Sequence, residues 1–347
     1  MTKKYEFTGE TKGWRGITLK RIRATIDFTL NNGIKVAKGD LGGWLEREGN
    51  LSHSDSAWVG GEAWVYGGAH VSGEAWVCGG AQVSGDAWVY GNAWVHGNAR
   101  VSGDARVHGN AEVCGNSRVC GNALVSDNAK VFCDAQVYGY ASVGGNAQVS
   151  GNARVHGHAE VSGNSQVYGH AKVFGNAKVF GNALVCGDAK VERESDAIYF
   201  KNIWSSGRTF TYTRSNGKWA VGCFHGTGEE LIKKAYTDSE VSGKCYETIV
   251  RATEEIYKAI DDREAKQEGE GIQKEECGDT ESDRLAQIAH HARKLAELMG
   301  ERELSITDQL KYTEWRSMTH YISHNAIEGI ATNIEQHLNL NEKEKPK

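Results

Sequence analysis

Between residues 57 and 192 the chain repeats a pattern of two small apolar residues, alanine and valine, separated by one variable residue. Valine stands at every sixth position from Val59 to Val191, and all 23 units are six residues long. Each unit reads Ala-x-Val-x-Gly-Asn/Asp with few departures. Because residues two apart in an extended segment point the same way, alanine and valine share one face. The pattern predicts a four-residue strand ending at a Gly-Asn or Gly-Asp corner, where positive φ is tolerated.

One such strand cannot bury its apolar face alone, but stacked copies close their backbone hydrogen bonds and bury the Ala/Val column. The pattern resembles the hexapeptide-repeat family, whose left-handed β-helices place three hexapeptides in each triangular coil. The resemblance covers residues 57–192 and implies an 18-residue coil, with residues 18 apart about 4.8 Å above one another. Stacked amides can form a hydrogen-bonded ladder. Asparagines spaced by 18 fit this coil: Asn92, Asn110, Asn128, Asn146, Asn164 and Asn182.

Residues 1–56 have no such repeat. Residues 16–28 are strand-like, and residues 38–46 read KGDLGGWLE, a turn leading to the first coil. Together with Asn50-Leu51-Ser52, this stretch resembles the leader of phage and bacterial hexapeptide-repeat proteins, some of them classed as transferases. An open β-helix end exposes unpaired strand edges, so we expect residues 1–56 to form an N-terminal β cap.

After Val191 the period ends. Residues 208–213 and 218–224 flank Ser215-Asn216-Gly217, which predicts a type I′ hairpin. Thr227 and Glu230 form a predicted capping box for a helix to about residue 236, and a second helix is expected over about 244–260. We therefore expect a small α+β cap at 193–260, a segment that also accompanies phage members of the hexapeptide group.

The remainder is predicted as an acidic linker at 261–284 and a helical hairpin at 285–340 with apolar residues at helical spacing. Residues 254–283 carry twelve acids against four bases. A solvated helix end and linker is the expectation, and a cation site or a site for a basic partner is the alternative.

Composition narrows the class of protein. The chain has 43 glycines but one proline, which argues against collagen and against a linker-rich chain. The net charge of −5 makes nucleic acid an unlikely partner of the whole protein. No apolar run is long enough for a membrane span, and the start lacks the apolar core of a signal peptide. Eight cysteines without a Cys-x-x-Cys pair are expected as reduced thiols of a cytoplasmic protein.

An 18-residue coil sorts the outward residues between alanine and valine into three columns. Five of the ten tryptophans fall on the first coils, as a candidate ligand or partner face: Trp58, Trp76, Trp94, Trp64 and Trp88. Outward tryptophan exposes a large apolar surface unless it is covered. We expect it to be buried under residues 1–56 or against another subunit, and stacking on a planar ligand is the alternative.

A second column is basic and contains no acid. Its cations are Arg100, Arg118, Arg154, Lys172 and Lys190. A solvated face is the first expectation. The alternatives are an anionic ligand or acidic partner surface, or the acidic segment 254–283 folding back.

Histidine follows valine at His96, His108 and His156. In acyltransferases of the hexapeptide family, a histidine acts as general base near a subunit cleft, so the resemblance makes these three the candidate bases, with acetyl-CoA as donor. Those enzymes commonly build the pocket from protruding loops, and no loop interrupts the 23 units here. His320 and His324 are four apart, a spacing that suits one metal, but no third ligand accompanies them, so we predict no metal site.

The sequence thus predicts a mainly β fold, a single-stranded parallel (left-handed) β-helix with an N-terminal cap, a small α+β unit and a C-terminal helical hairpin. The expected function is a non-enzymatic binding or scaffold protein of phage or prophage type, without cofactor. The family resemblance favours a homotrimer, and a protein partner is expected too. An acyltransferase using an acetyl-CoA-type donor is the first alternative. A sequestering protein for an anionic ligand is the second.

Overall fold

A computed structural model describes residues 3–30, 33–202 and 207–269. The expected helical hairpin at 285–340, with His320 and His324, and all of the expected linker after residue 269 lie outside the described residues. The chain divides into two units, Met1–Ile198 and Tyr199–Lys347.

The first unit begins with five strands ahead of the repeats. Their bounds are β1 (Tyr5–Trp14), β2 (Ile17–Ala24), β3 (Phe28–Thr29), β4 (Lys35–Val36) and β5 (Leu41–Leu45), followed by a single 3-10 turn at Glu48–Asn50. β1 pairs antiparallel with β2, and β2 pairs antiparallel with β5. β3 and β4 form a separate two-stranded ribbon.

Each of the 23 repeats contributes one short strand that contains its variable residue and its valine. The strands are β6 (Trp58–Val59), β7 (Trp64–Val65), β8 (His70–Val71), β9 (Trp76–Val77), β10 (Gln82–Val83), β11 (Trp88–Val89), β12 (Trp94–Val95), β13 (Arg100–Val101), β14 (Arg106–Val107), β15 (Glu112–Val113), β16 (Arg118–Val119), β17 (Leu124–Val125), β18 (Lys130–Val131), β19 (Gln136–Val137), β20 (Ser142–Val143), β21 (Gln148–Val149), β22 (Arg154–Val155), β23 (Glu160–Val161), β24 (Gln166–Val167), β25 (Lys172–Val173), β26 (Lys178–Val179), β27 (Leu184–Val185) and β28 (Lys190–Val191).

These strands stack into three parallel sheets, one for each predicted column. We call them the tryptophan face (every third strand from β6 to β27), the basic face (every third strand from β7 to β28) and the third face (every third strand from β8 to β26). Residues 18 apart are paired, as Arg100 is with Arg118. The parallel β-solenoid with an 18-residue coil is therefore confirmed, while its left-handed sense stays a prediction of the family resemblance.

The core is the stacked column of alanine and valine side chains, which are almost completely shielded from solvent along the whole solenoid. The regular strand covers two residues of each unit rather than the four predicted from the repeat. Backbone hydrogen bonding nevertheless continues one residue further, since the Cys78 amide donates to the Val95 carbonyl at 2.9 Å. The chain then turns at once into the glycine corner, which ends the pleat.

The corners explain why glycine recurs. Gly85 has φ +68°, and a Cβ placed there would lie 2.7 Å from the backbone nitrogen of Gly103 in the next coil. Asp127 and Cys133 occupy the same corner position with φ 58° and 59°. These two are the non-glycine corners with positive φ in the described solenoid, and each adopts the left-handed backbone that costs ordinary residues about 1–2 kcal/mol.

Residues ahead of the repeats cover the first edge of the basic face. β5 pairs in parallel with β7, placing Trp44 opposite Trp64. Lys4, which the sequence pattern did not single out, is buried. Its Nζ donates to the backbone oxygens of Ala57 at 2.6 Å and Asp55 at 2.8 Å, and to Oδ1 of Asp55 at 3.2 Å.

The second unit contains a four-stranded sheet in the order β29-β30-β31-β32 and two helices. The elements are β29 (Ala197–Lys201), preceded by a 3-10 turn at Glu194–Asp196, then β30 (Thr209–Thr213), β31 (Lys218–Val221), β32 (Phe224–Gly226), α1 (Gly228–Asp238) and α2 (Glu240–Gly269). Phe210, Trp219, Leu231 and Val250 are among the residues of its core. The capping box is confirmed, because Thr227 accepts from the Glu230 amide while Glu230 accepts from the Thr227 amide.

Two details of this unit differ from the expectation. The hairpin is not a type I′ turn, which needs positive φ at both central residues. Only Gly217 has it, at φ 61°, and the loop is four residues long, with the Gly217 amide bonded to the Thr213 carbonyl at 3.0 Å. The Asn216 side chain accepts from Thr213 Oγ1 at 2.6 Å, which holds this wider turn. α2 also begins before residue 244 and continues to Gly269, into the segment expected as linker.

Candidate functional site

The tryptophan face changes from covered to exposed along the first coils. Trp58 is 4% exposed and meets the Phe28 ring edge-on at 5.4 Å between ring centres. Trp76 is half-buried and stacks on Trp94 at 5.2 Å with the rings 9° from parallel, and Trp94 is 36% exposed. On the basic face Trp64 packs against Trp14 at 5.4 Å. Residues ahead of the repeats thus cover the first tryptophans and leave Trp94 partly open.

A shallow cavity of about 500 Å³ lies beside this face. It is lined by Ile34, Lys35, Val36, Asp40, Leu41, Trp58, Gly60, Gly61, Trp76, Cys78 and Gly79. The lining thus combines two indole rings and two glycine corners of the solenoid with the segment at 34–41. Trp88 lies elsewhere, on the third face, 49% exposed beside His70 at 5.3 Å.

Next to the cavity, three different ligand-type side chains converge. His96 Nε2 lies 3.1 Å from Oε1 of Glu112. Cys114 Sγ completes a group whose ligand atoms all lie within 4.8 Å of one another. Lys130 Nζ binds the other oxygen of Glu112 at 2.8 Å, and the Trp94 ring stacks on the His96 ring at 4.0 Å. The three side chains are half-buried, so solvent reaches the group from one side.

The protonation states of Glu112 and Cys114 depend on burial and on the charged groups beside them. Burial acts to raise the pKa of Glu112, but hydrogen bonds from Lys130 and His96 outweigh it and lower the pKa below its usual range. Burial and the adjacent Glu112 carboxylate raise the pKa of Cys114 to about 11. Cys114 is therefore a neutral thiol near pH 7 and not a ready nucleophile.

The strained corner residue Cys133 adjoins the same group. Its carbonyl accepts a hydrogen bond from the Asn116 amide at 2.7 Å, and its backbone lies directly over Gly115. Cys133 is exposed, and its thiol acts on the pKa of Cys114. The sequence analysis missed Glu112, Cys114 and Cys133 as site residues. An available signal was their spacing from His96, since offsets of 16 and 18 place the side chains of Glu112 and Cys114 on the next coil beside it.

The basic face carries the predicted column of cations. Arg100, Arg118 and Arg154 are exposed. Arg100 is paired with Arg118, and Arg154 with Lys172, which is paired in turn with Lys190. Gln136 lies between Arg118 and Arg154 in the column. On the other two faces, a lysine pairs with an acid of its own column, as Lys130 does with Glu112 at 2.8 Å and Lys178 with Glu160 at 3.8 Å. The basic column has no acidic residue with which to do so.

An aromatic stack follows the basic column at the residue after valine. His156 lies between Tyr138 at 4.8 Å and Phe174 at 5.3 Å, with the rings nearly parallel. Burial, followed by the charges of Lys172 and Arg154, lowers the pKa of His156. His108 stacks on Tyr90 at 4.8 Å. Of the three candidate bases, His96 is the one that hydrogen-bonds a carboxylate in the described part of the chain.

The structure and the repeat define a class: this is a β-solenoid protein built from hexapeptide repeats. A family profile described as the YdcK beta solenoid repeat matches residues 81–97 and 147–163, both within the solenoid. No curated protein matches the chain. Among solved structures, the chain is similar to LpxA from Acinetobacter baumannii, with 11% identity over 70% of this chain and 89% of that chain and a TM-score of 0.27. A likeness this distant carries no argument about activity. Across the described residues, no helix has both the length and the apolar character needed to cross a bilayer.

Proposed function

We propose that the chain is a non-enzymatic binding protein whose solenoid presents the basic face to an acidic segment of a partner protein. The observation that carries the proposal is the basic column. Arg100, Arg118, Arg154, Lys172 and Lys190 share one flat sheet, and their column lacks the acids that pair with lysines on the other faces. The like charges of Arg100, Arg118, Arg154 and Lys172, about 4.8 to 10 Å apart between neighbours, repel one another, and an acidic partner relieves that repulsion.

The shape of the solenoid supports binding rather than catalysis. The 23 units run without an inserted loop, so the basic face is flat along its length. The column extends over five coil steps, or about 24 Å. Because the scaffold is held by backbone hydrogen bonds at every coil, its cations are placed before the partner arrives, which lowers the entropy lost on binding.

An acidic protein segment fits better than a nucleic acid. The cations form a single row, and the chain as a whole has a net charge of −5. Nucleic-acid-binding domains usually carry a strong overall positive charge, which attracts the phosphates of the polyanion. A short acidic segment requires only the local row.

The test is binding of fluorescent polyglutamate to the full chain at several salt concentrations. The double variant Arg118→Gln/Arg154→Gln should bind about 2- to 30-fold more weakly, the range expected for two exposed charge pairs. The control variant, Arg106→Gln/Lys178→Gln, removes the same charge at the same repeat position on the third face and should bind as the wild type. Equal losses in both variants, or tighter binding of a single-stranded oligonucleotide than of polyglutamate, would contradict the proposal.

Assembly into a homotrimer is part of the proposal, as the family resemblance implies. Trp88 and Trp94 support it, because they leave indole surface exposed on two faces of the solenoid. Light scattering after size-exclusion chromatography should give three chains, and Trp88→Gln should shift the equilibrium to monomer. Tyr140→Gln is the control, because it removes an exposed aromatic ring (63% exposed) outside the proposed subunit contact. A monomeric wild type would refute the trimer. The phage or prophage origin stays a prediction of the leader resemblance.

Acyl transfer from an acetyl-CoA-type donor is the second candidate, favoured by the His96–Glu112 contact of 3.1 Å. A carboxylate on a histidine orients the ring and stabilises its protonated form, which suits a general base. Native mass spectrometry with added acetyl-CoA separates the candidates. A donor retained by the wild-type chain would favour the enzyme. An unchanged mass would favour the binding protein.

A further inference from the structure

We propose that His96, Glu112 and Cys114 form a zinc site on the edge of the tryptophan face. The three side chains supply one nitrogen, one oxygen and one sulfur, the donor types that zinc takes in proteins. Their ligand atoms lie within 4.8 Å of one another, and the nitrogen and oxygen are 3.1 Å apart. Two ligands that each stand about 2.0–2.1 Å from one tetrahedral ion are separated by a similar distance.

The surroundings hold the ligands in place. Lys130 holds one oxygen of Glu112 at 2.8 Å, which leaves Oε1 turned toward His96. Trp94 stacks on the His96 ring at 4.0 Å and donates its own Nε1 to Cys78 Sγ at 3.4 Å. Both ring planes are thus fixed by the rigid coil below. Contacts of this kind orient the ligands of a metal and reduce the reorganisation needed on binding.

Strain at Cys133 is a second and independent observation. A residue other than glycine at this corner costs free energy, and every corner of positive φ but two in the described solenoid is glycine. Backbone strain of this kind tends to accumulate at functional positions. Cys133 is exposed and adjoins Gly115, next to Cys114. Its thiol lies outside the group whose ligand atoms are within 4.8 Å of one another, so its side chain must rotate toward the ion to take the fourth zinc position.

A metal at this point joins separate coils. His96 belongs to one coil, Glu112 and Cys114 to the next, and Cys133 to the coil after that, as the 18-residue pairing shows. Zinc binding should therefore raise the thermal stability of the solenoid, because the ion binds the folded coils and not the separated ones. The zinc site lies on a different face from the basic column. Failure of one proposal would therefore leave the other unaffected.

Cobalt(II) titration of the chelator-treated full chain tests the site. We expect one equivalent of cobalt with a thiolate-to-cobalt charge-transfer band, and one equivalent of zinc that displaces it and raises the melting temperature. Cys114→Ser and His96→Ala should each weaken binding by more than the roughly 10- to 100-fold that loss of an outer-shell partner costs. Cys133→Ser should weaken it and keep part of the band.

Cys120→Ser is the matched control, because Cys120 follows valine in its repeat as Cys114 does but belongs to the basic face. It should retain the wild-type affinity and band. Circular dichroism of each variant establishes that the solenoid is folded, as expected for changes of outward side chains. Absence of the band in the wild type would overturn the site. So would a band that persists unchanged in folded Cys114→Ser.

Discussion

The side-chain amide of Asn110 donates to the side-chain oxygen of Asn128, 18 residues further on, at 3.0 Å. The same contact recurs at every step from Asn92 to Asn182, at 2.9 to 3.2 Å. Each amide in the interior of this asparagine ladder therefore accepts from the coil before it and donates to the coil after it. The ladder adds a side-chain hydrogen bond to each coil step along one corner of the solenoid.

Asn128→Ala should lower the stability of the solenoid, because it removes two ladder bonds at once. Each net bond contributes about 0.5–1.5 kcal/mol, and solvent exposure of this corner places the effect toward the lower end. The control is Asn122→Ala, at the same repeat position on another corner, where the described structure shows no amide–amide contact. Thermal unfolding followed by circular dichroism measures both. An equal loss in the two variants would show that the ladder adds nothing beyond the corner residue itself.

At the two strained corners, Cys133 and Asp127, substitution by glycine should raise the stability of the solenoid, whereas most substitutions lower it. Cys133→Gly should raise the stability of the metal-free protein by about 1 kcal/mol, since relief of about 1–2 kcal/mol of left-handed strain exceeds the entropy cost of glycine. Asp127→Gly should gain less, because Asp127 Oδ2 accepts a hydrogen bond from the Gly145 amide at 2.8 Å and this contact would be lost.

Thermal unfolding in chelator is the measurement for both corner variants. Gly139→Ala provides the reverse change at a corner of the same solenoid, and it should destabilise, because a Cβ there would lie 3.0 Å from the Gly157 nitrogen. A loss of stability in Cys133→Gly would show that the cysteine makes a stabilising contact that outweighs the strain.

The solenoid is the part of the fold that the sequence predicts best, because its repeat is regular. Period six predicts a stack of short strands, and the family resemblance adds three units per coil, which gives the 18-residue register and the asparagine ladder. The same regularity explains why the tryptophan column and the basic column were found. The predicted strand length of four residues was too long. Backbone hydrogen bonding continues for one residue past valine, but the extended backbone ends there because the chain turns into the glycine corner.

Other features depend on contacts that no period reveals. Lys4 is held by acceptors about 50 residues away, and its burial has no signature in residues 1–56. The hairpin turn was misassigned because the Asn216 side chain, rather than its backbone φ, fixes the loop. The members of the group at His96 are separated by 16 and 18 residues and become neighbours only through the coil, so the 18-residue register had to be applied to find them.

The contact between Asp55 and Lys4 should make the stability of the protein sensitive to acid. Burial acts to raise the pKa of Asp55, but hydrogen bonds from Ser52 and the Gly73 amide, together with Lys4, lower it below the ordinary value of 3.8. A carboxyl group whose folded pKa is depressed stabilises the protein above its unfolded pKa. That contribution is lost as the pH falls from about 4 through the lower folded pKa.

Asp55→Asn should therefore flatten the fall in melting temperature below pH 4, while lowering stability at pH 7. The control is Asp104→Asn, at an exposed corner that follows a strand of the basic face, which should leave the profile of the wild type unchanged. Lys4→Met should also destabilise at pH 7, because it leaves the buried Ala57 carbonyl without its donor, at a cost of about 1–3 kcal/mol. An acid profile in Asp55→Asn identical to the wild type would assign the acid sensitivity to other carboxylates.

The last prediction uses His156 as a reporter of the basic face. Burial lowers the pKa of His156, and the charges of Lys172 and Arg154 lower it further. A histidine whose folded pKa is depressed is stabilising above the unfolded pKa of about 6.5 and loses that contribution as the pH falls below it. A bound acidic segment places negative charge beside Lys172 and Arg154, and this should raise the pKa of His156 toward its ordinary value.

Nuclear magnetic resonance of histidine-labelled protein measures this pKa, with the His156 signal assigned from His156→Gln. We expect the pKa to rise when polyglutamate is added, and the rise to diminish as salt screens the charges. Arg154→Gln should raise the pKa without polyglutamate, because it removes one of the two neighbouring cations, and should reduce the further rise on binding. If polyglutamate binds while the His156 pKa stays unchanged, the partner lies on another surface and the basic face is not its site.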